Sequence, residues 1–292
     1  MDIGIININD FEIISKYIHK ICGLHLPYSK EYLIRQRFIF LLEKFGLKNY
    51  SELANIIKNN TINQLQRDMI ISQITTGETY FFRDNHPFEA LKNNIVPELI
   101  SKIKFQSISD TNPTAKINIW SAAASTGQEA YSIAMSIYEF IQNNDLPLGF
   151  FNQFQIYATD IDDVSLDYAQ KGVYNIIETG RGLNNNILEK YFDKEADKWR
   201  VKAFIKKIIN FSKISLHENY SFQKFNLKFD IIFARNVLIY FDETTKMNIL
   251  KNFHKLLKKE GYLFLGATEN LYGTDTDFES AGFKNTMFYR PK

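Results

Sequence analysis

The stretch Lys116–Met135, KINIWSAAASTGQEAYSIAM, decides the fold of this chain. Its apolar run predicts a buried strand at Ile117–Ser121, the small residues up to Ser125 predict a turn, and helical spacing predicts a helix at Gly127–Gln142. A strand–turn–helix unit exposes backbone N–H groups at the carboxyl edge of a parallel sheet, where nucleotide-like ligands bind. The glycine pattern G-x-G-x-x-G is absent, which weakens the dinucleotide interpretation.

Composition excludes several classes of site. A formal net charge of +2 gives no electrostatic case for nucleic acid or a membrane as the main partner. Cys22 is the only cysteine, so the chain can form neither an intrachain disulfide nor a thiolate metal cluster. The segment MDIGIININDFEII lacks the basic and apolar regions of a signal peptide, and no apolar run approaches the ~20 residues of a membrane span. We therefore expect a soluble cytoplasmic protein.

The first part of the chain has a helical pattern without a clear strand. We expect four helices, the first capped by Asp10, the second over Glu31–Phe45, the third capped by Ser51 and the fourth over Leu65–Ile74. The predicted domains are a helical domain over 1–75 and a second domain over 76–292.

From Pro97 onward, strands and helices alternate, which is typical of a doubly wound parallel sheet. The predicted strands are Ile117–Ser121, Phe154–Thr159, Ile208–Ser215, Phe229–Ala234 and Gly261–Gly266, with a final pair around Phe283 and Met287–Arg290. The predicted helices are Gly127–Gln142, Asp163–Lys171 and Glu243–Lys259. Residues 172–207 do not fit the alternation and suggest a small inserted subdomain.

Polar residues that follow these strands are candidate ligand contacts. Asp160 ends the second strand, where a carboxylate can accept hydrogen bonds from the two hydroxyls of a ribose; a helix cap is the alternative. Glu129, in the first turn of the next helix, could contact a ligand or only the helix dipole. Asn236 could bind a substrate or be an ordinary turn residue, and Tyr240 could be a core aromatic residue.

The segment Thr75–Arg83, TTGETYFFR, connects the helical region to the sheet and is rich in hydroxyl groups. Arg83 could pair with a carboxylate, and the alternative is a solvated linker. The five histidines are scattered without metal-ligand spacing, so we expect no metal site.

Five motifs in this order resemble the CheR family of chemoreceptor glutamate O-methyltransferases: TTGETYFFR, WSAAASTGQEAYSIAM, ATDID, RNVLIYFD and GYLFLGATENL. The resemblance covers nearly the whole chain. It implies a class I methyltransferase (Rossmann-like) sheet, an all-helical N-terminal domain and a small inserted β subdomain. It also implies S-adenosylmethionine as methyl donor, S-adenosylhomocysteine as product, and receptor glutamate side chains as acceptors.

The resemblance also implies roles for single residues. Tyr240 and Arg83 correspond to residues at the reacting centre. The implied cofactor-binding residues are Gly77, Thr79, Arg83, Glu129, Asp160, Asn219, Tyr220, Arg235 and Asn236. The chain departs from the family at Gly77, where Asn is frequent, at Gln128 and Ala130, which replace Glu and Pro, and at 267–269, where Ala-Thr-Glu replaces His-Ser-Glu.

The implied partners are the cytoplasmic helices of chemoreceptors, which Arg35, Arg37 and Lys44 could contact, although a solvated helix face is an equal alternative. The insert is a candidate tether for a receptor's C-terminal peptide. We expect a monomer that neither binds nucleic acid nor inserts into a membrane. Two other hypotheses stay open: a methyltransferase with another substrate, and a cofactor-binding signalling module without catalysis.

Overall fold

A computed structural model describes residues 6–75, 77–109 and 116–292. Its N-terminal part is helical, as predicted, and consists of α1 (Ile8–Cys22), a 3-10 turn (Tyr28–Lys30), α2 (Glu31–Arg37), α3 (Ile39–Phe45), α4 (Tyr50–Lys58) and α5 (Gln64–Ile74). The apolar faces of these helices form one core, in which Ile14, Leu41 and Leu53 are fully buried. Burial of a continuous apolar face is what holds such short helices together.

Two details of this helical region differ from the prediction. The side chains of Asn7 and Asn49, not those of Asp10 and Ser51, cap α1 and α4, because each accepts a hydrogen bond from a backbone N–H of the first turn. The single helix predicted over Glu31–Phe45 is broken at Phe38, whose side chain is completely buried in the helical core.

The rest of the chain is built around a mixed sheet. The strands of the protein are β1 (Ile117–Ala122), β2 (Phe154–Asp160), β3 (Val173–Asn175), β4 (Phe192–Glu195), β5 (Lys198–Val201), β6 (Ile209–Lys213), β7 (Phe229–Ala234), β8 (Leu257–Leu265), β9 (Phe278–Phe283) and β10 (Thr286–Pro291). Seven of them form the main sheet in the order β6-β2-β1-β7-β8-β10-β9. The first five in this order are parallel and the last two pairings are antiparallel.

Helices flank this sheet and complete the predicted doubly wound architecture. They are α6 (His86–Ala90), a π-helical turn (Leu91–Ile95), α7 (Val96–Ser109), α8 (Gln128–Asn143), α9 (Asp163–Lys171), α10 (Ile176–Gly180), α11 (Asn185–Tyr191), α12 (Ala203–Lys206) and α13 (Glu243–Leu256), with 3-10 turns at Leu148–Gln153, Asn219–Lys224 and Leu238–Tyr240. Alternate strand residues enter separate cores: Ile119 packs on the side of α8, and Trp120 packs with Phe253 of α13 on the other.

The predicted insert is a three-stranded antiparallel sheet in the order β3-β5-β4, joined by α10 and α11. It lies between β2 and β6 in the chain. Its aromatic residues Tyr174 and Phe192 belong to the same core as β1 and α8, so the insert packs on the main domain.

The bounds of several elements differ from the prediction, and β8 begins at Leu257, four residues before its predicted start at Gly261. The last helix ends at Leu256 and not at Lys259, because Leu257 already pairs with Phe229 in the sheet. Strand β6 ends at Lys213, two residues before its predicted end. Within the described ranges, none of the helices has both the length and the apolar character needed to cross a bilayer.

Candidate active site

A pocket opens at the carboxyl edge of the main sheet, between the parallel neighbours β1 and β7, where the strand order reverses. In doubly wound sheets this switch point is where ligands bind. The N-terminal helical region forms the opposite wall, with Leu24, His25 and Lys30 among its lining residues. Eight of the predicted site residues line the pocket: Gly77, Thr79, Arg83, Glu129, Asp160, Arg235, Asn236 and Tyr240.

Asp160 is the last residue of β2 and is only 9% exposed. Its Oδ2 accepts a hydrogen bond from the Ser125 N–H (2.8 Å), and its Oδ1 accepts one from the Asp162 N–H (3.0 Å). The helix cap is Asp162, which accepts hydrogen bonds from two N–H groups at the start of α9. Each carboxylate oxygen of Asp160 retains a lone pair for a ligand hydroxyl. Burial raises the pKa of Asp160.

The chain adopts a left-handed backbone conformation just after β1 and just after β7, the two strands beside the switch point. Ala123 and Ser125 follow β1 with φ of 61° and 50°, and Asn236 follows β7 with φ of 58°. Such values are uncommon for residues other than glycine and persist only where the surroundings hold them. Hydrogen bonds fix the first turn, since the Ala124 N–H donates to the Thr159 carbonyl (2.9 Å) and the Ser125 N–H donates to Asp160.

Glu129 and Arg235 form a buried ion pair in the wall of the pocket. Glu129 Oε2 lies 3.2 Å from Arg235 Nη1, and Glu129 Oε1 accepts a hydrogen bond from the Ser121 hydroxyl (2.7 Å). Arg235 also pairs with Asp84 (2.7 Å) and donates to the Arg83 carbonyl (2.8 Å). Burial raises the pKa of Glu129, and Arg235 opposes that rise. Glu129 is therefore held by an ion pair, not only by the dipole of α8.

Glu269 fastens the turn after β7, a role that the sequence did not reveal. Its Oε2 accepts hydrogen bonds from the N–H groups of Asn236 (2.6 Å) and Gly266 (2.7 Å). Its Oε1 accepts hydrogen bonds from those of Leu238 (2.8 Å) and Ile239 (3.2 Å). A single buried carboxylate thus satisfies four backbone donors and fixes the chain that carries Asn236 and Tyr240.

Asn236 and Tyr240 both face the pocket. Asn236 Oδ1 is buried and lacks a hydrogen-bond partner among the described residues, so it is available to a ligand donor. Tyr240 is half-buried at the pocket and is absent from the buried core. Its carbonyl accepts a hydrogen bond from the His25 N–H (2.9 Å), and the next residue, Phe241, pairs with Leu24. The helical domain therefore holds the backbone of Tyr240.

The connecting segment is packed against the sheet domain and is not a solvated linker. Phe81 is completely buried, and the Phe82 N–H donates to the Ser132 hydroxyl (2.9 Å). The Ser125 hydroxyl donates to the Gly77 carbonyl (3.1 Å), which joins this segment to the turn after β1. Thr76 lies outside the described residues.

Two predicted contacts do not reach the pocket. Asn219 lies in the 3-10 turn after β6 and accepts a hydrogen bond from Asn252 of α13 (2.7 Å), while Tyr220 is 63% exposed. Ser215 and Leu216, which follow β6 more closely, line the pocket instead. Their position at the end of the third parallel strand was the signal that could have identified them.

The three cations proposed for receptor contact have different surroundings. Arg37 donates hydrogen bonds to the carbonyls of Ile74 (2.7 Å) and Thr75 (3.3 Å) at the end of α5, so it has a structural function. Arg35 Nη2 lies 3.7 Å from Glu31 Oε1, and Lys44 Nζ lies 5.4 Å from the centre of the Phe40 ring. Among the described residues, no group of three or more His, Cys, Asp or Glu is placed to hold a metal ion.

The chain is similar to one known protein family along nearly its whole length. Residues 77–287 match the family model described as CheR methyltransferase, SAM binding domain, and residues 9–75 match CheR methyltransferase, all-alpha domain. The chain is 38% identical over 286 residues to the chemotaxis protein methyltransferase Cher2 of Pseudomonas putida, which covers 97% of this chain and 98% of that protein. It is 37% identical over 274 residues to the chemotaxis protein methyltransferase of Borreliella burgdorferi, covering 92% and 91%.

Proposed function

Because the chain belongs to the CheR methyltransferase family, we propose that it transfers the methyl group of S-adenosylmethionine to glutamate side chains of chemoreceptors, giving glutamate methyl esters. The family and its S-adenosylmethionine-binding domain define a chemotaxis methyltransferase with this cofactor. The acceptor glutamate is the proposed part. The observation that supports it is the position of the pocket between the cofactor domain and the helical domain, where a protein substrate can reach the cofactor.

The pocket has the chemistry that the cofactor requires. We assign Asp160 to the ribose hydroxyls, because both of its oxygens keep acceptor capacity. The Oδ1 of Asn236, which has no hydrogen-bond partner in the described part of the chain, suits an amino group of the cofactor. Arg83 suits the cofactor's carboxylate, with Gly77 and Thr79 beside it, and the ion pair of Glu129 and Arg235 forms part of the same pocket wall. Ser215 and Leu216 take the place that we had expected for Asn219 and Tyr220.

The proposed reaction needs no general base. A glutamate side chain has an ordinary pKa of about 4.3, so it reaches the site ionised at neutral pH. When bound, S-adenosylmethionine supplies an electrophilic methyl group: a carboxylate oxygen forms the new C–O bond as the C–S bond breaks, and the electron pair stays on sulfur. The protein's task is alignment, which is worth up to about 7–11 kcal/mol of the barrier. Tyr240, a neutral hydroxyl at the pocket, is our candidate to orient the acceptor.

The division of the chain follows from the same proposal. We propose a helical domain over 1–75 that contacts the cytoplasmic helices of receptors, and a catalytic domain over 76–292 that acts as a monomer in the cytoplasm. The separate apolar core of the helical region supports this division. The inserted sheet remains our candidate for holding a receptor's C-terminal peptide.

Methyl transfer to receptors tests the proposal directly. The purified protein is incubated with S-adenosylmethionine labelled in its methyl group and with membranes that carry the organism's own chemoreceptors. We expect base-labile label in the receptor band, lost in Asp160→Asn and retained in Asp167→Asn, an exposed residue of α9. Unlabelled receptors, despite measured binding of S-adenosylhomocysteine, would contradict receptor methylation and favour a binding module or another substrate.

A further inference from the structure

The inserted subdomain contacts the cofactor-lining segment 77–83 through a turn that only glycine permits. Gly182 has φ of +99°, and a Cβ built on it would lie 1.9 Å from the carbonyl oxygen of Phe81 and 2.9 Å from its carbonyl carbon. Both are backbone atoms, so no side-chain rotation could relieve the overlap. The backbone of the insert therefore touches the backbone of the segment that carries Thr79 and Arg83.

Arg181, the preceding residue, adds a second contact to the same segment. Its guanidinium lies 2.9 Å from Glu78 Oε1 and 4.1 Å from the centre of the Tyr80 ring. Each contact alone is weak, because both charged side chains are more than half exposed. Together with the Gly182 contact, they engage three successive parts of the segment: Glu78, Tyr80 and Phe81.

The insert also reaches the second cofactor-lining loop. Tyr174 of β3 donates a hydrogen bond to the carbonyl of Thr126 (2.6 Å), next to Ser125 in the turn that Asp160 holds. The Phe81 ring packs edge-on against the rings of Tyr174 and Phe192 at 5.0 and 5.5 Å. The two loops on either side of the proposed cofactor contacts therefore rest on one surface of the insert.

We propose that the turn formed by Arg181 and Gly182 positions the segment 77–83 for cofactor binding, so that the inserted subdomain sets part of the affinity for S-adenosylmethionine. The inference rests on the proposed cofactor contacts of Gly77, Thr79 and Arg83. Arg181 and Gly182 do not line the pocket among the described residues, so they act through the segment and are positioning residues.

Binding of S-adenosylhomocysteine to the full-length protein, measured by titration calorimetry, tests the proposal. In Gly182→Ala we expect the Kd to rise about tenfold or more, because the new methyl group must displace the Phe81 backbone. Gly180→Ala is the matched control, since nothing lies within 4 Å of the added Cβ there, and its Kd should stay within about twofold of wild type.

Kinetics separate positioning from a loss of folded protein. A positioning defect raises the KM for S-adenosylmethionine with little change in kcat, whereas a smaller folded fraction lowers kcat with the KM unchanged. Should Gly182→Ala fail to fold, Arg181→Ala provides the same test on an exposed side chain, and we expect about a threefold rise in Kd, largely restored in Arg181→Lys. Arg200→Ala, which breaks a comparably exposed ion pair with Glu195 elsewhere in the insert, should leave the Kd unchanged.

The outcomes distinguish a failure of this inference from a failure of the proposed function on which it rests. Wild-type protein that bound no S-adenosylhomocysteine would overturn the proposed cofactor site together with the inference. Wild-type binding, with folded Gly182→Ala and Arg181→Ala both matching it in Kd and in KM, would overturn the inference alone.

Discussion

Glu269 offers the sharpest test of how the site is held. Replacing it by glutamine keeps the shape of the side chain but turns one carboxylate oxygen into an NH₂ group. Whichever oxygen is lost, two of the four backbone N–H donors then face another donor: either Asn236 and Gly266, or Leu238 and Ile239.

The cost follows from the burial of this turn. Glu269 is only 7% exposed, and each buried donor left without an acceptor costs about 1–3 kcal/mol, so Glu269→Gln should lower the free energy of unfolding by about 4 kcal/mol. In a protein of this size that loss corresponds to a fall in Tm of about 7 °C. The folded fraction should also lose activity, because the turn carries Asn236 on one side and Tyr240 on the other.

Thermal and urea unfolding followed by circular dichroism measure the loss, and kcat is measured well below the lowered Tm. Glu279→Gln, the same change at an exposed position of β9, is the control and should lie within about 0.5 kcal/mol of wild type. If Glu269→Gln lost less than about 1 kcal/mol and kept its kcat, the four hydrogen bonds would not hold the turn as argued.

Three further predictions concern charged groups. Arg235→Gln leaves Glu129 buried without its cation and should lower the free energy of unfolding in urea by about 3–5 kcal/mol. An unchanged midpoint of unfolding would show that the Arg235 charge does not stabilise Glu129. Because burial raises the pKa of Asp160 and its proposed ribose contact requires the ionised form, cofactor affinity should weaken as the pH falls through that raised pKa; a pH-independent affinity of the wild-type protein in calorimetry would contradict this contact. The pKa of Asp242 is lowered from 3.8 to about 2 by the Thr245 N–H and His19, so its stabilisation is present above pH 3.8 and is lost as the pH falls towards 2; acid titration of Asp242→Asn should lack this loss.

The sequence predicted most of the fold because its signals are local. Apolar runs identified the five parallel strands, and Asp242 in front of the last helix identified a cap that the structure confirms. The ends of helices and strands were harder to predict, because contacts with distant parts of the chain decide where an element stops. Leu257 continues a helical pattern in the sequence, yet it pairs with Phe229 across the sheet and ends α13 at Leu256.

From residue pattern alone, the site was most predictable at the ends of strands. Asp160 ends β2 and Asn236 lies two residues after β7, and both line the pocket. Glu269 acts on a turn that lies some thirty residues earlier in the chain, through backbone N–H groups that leave no trace in residue type. Arg37 appeared to be a surface cation, because the sequence does not show that the carbonyls at the end of α5 lie within its reach.

The charges around the pocket bear on how the proposed reaction would gain its rate. In the proposed reaction an anion meets a sulfonium, and both charges disappear, so strong stabilisation of either ground state would raise the barrier. The buried charge of Arg235 does not stabilise the acceptor carboxylate strongly, because it is balanced by Glu129 at 3.2 Å and by Asp84 at 2.7 Å. Rate must then come from alignment, and alignment depends on groups that never touch the reacting atoms: the carboxylate of Glu269, the Gly182 contact and the His25 N–H that holds the Tyr240 carbonyl.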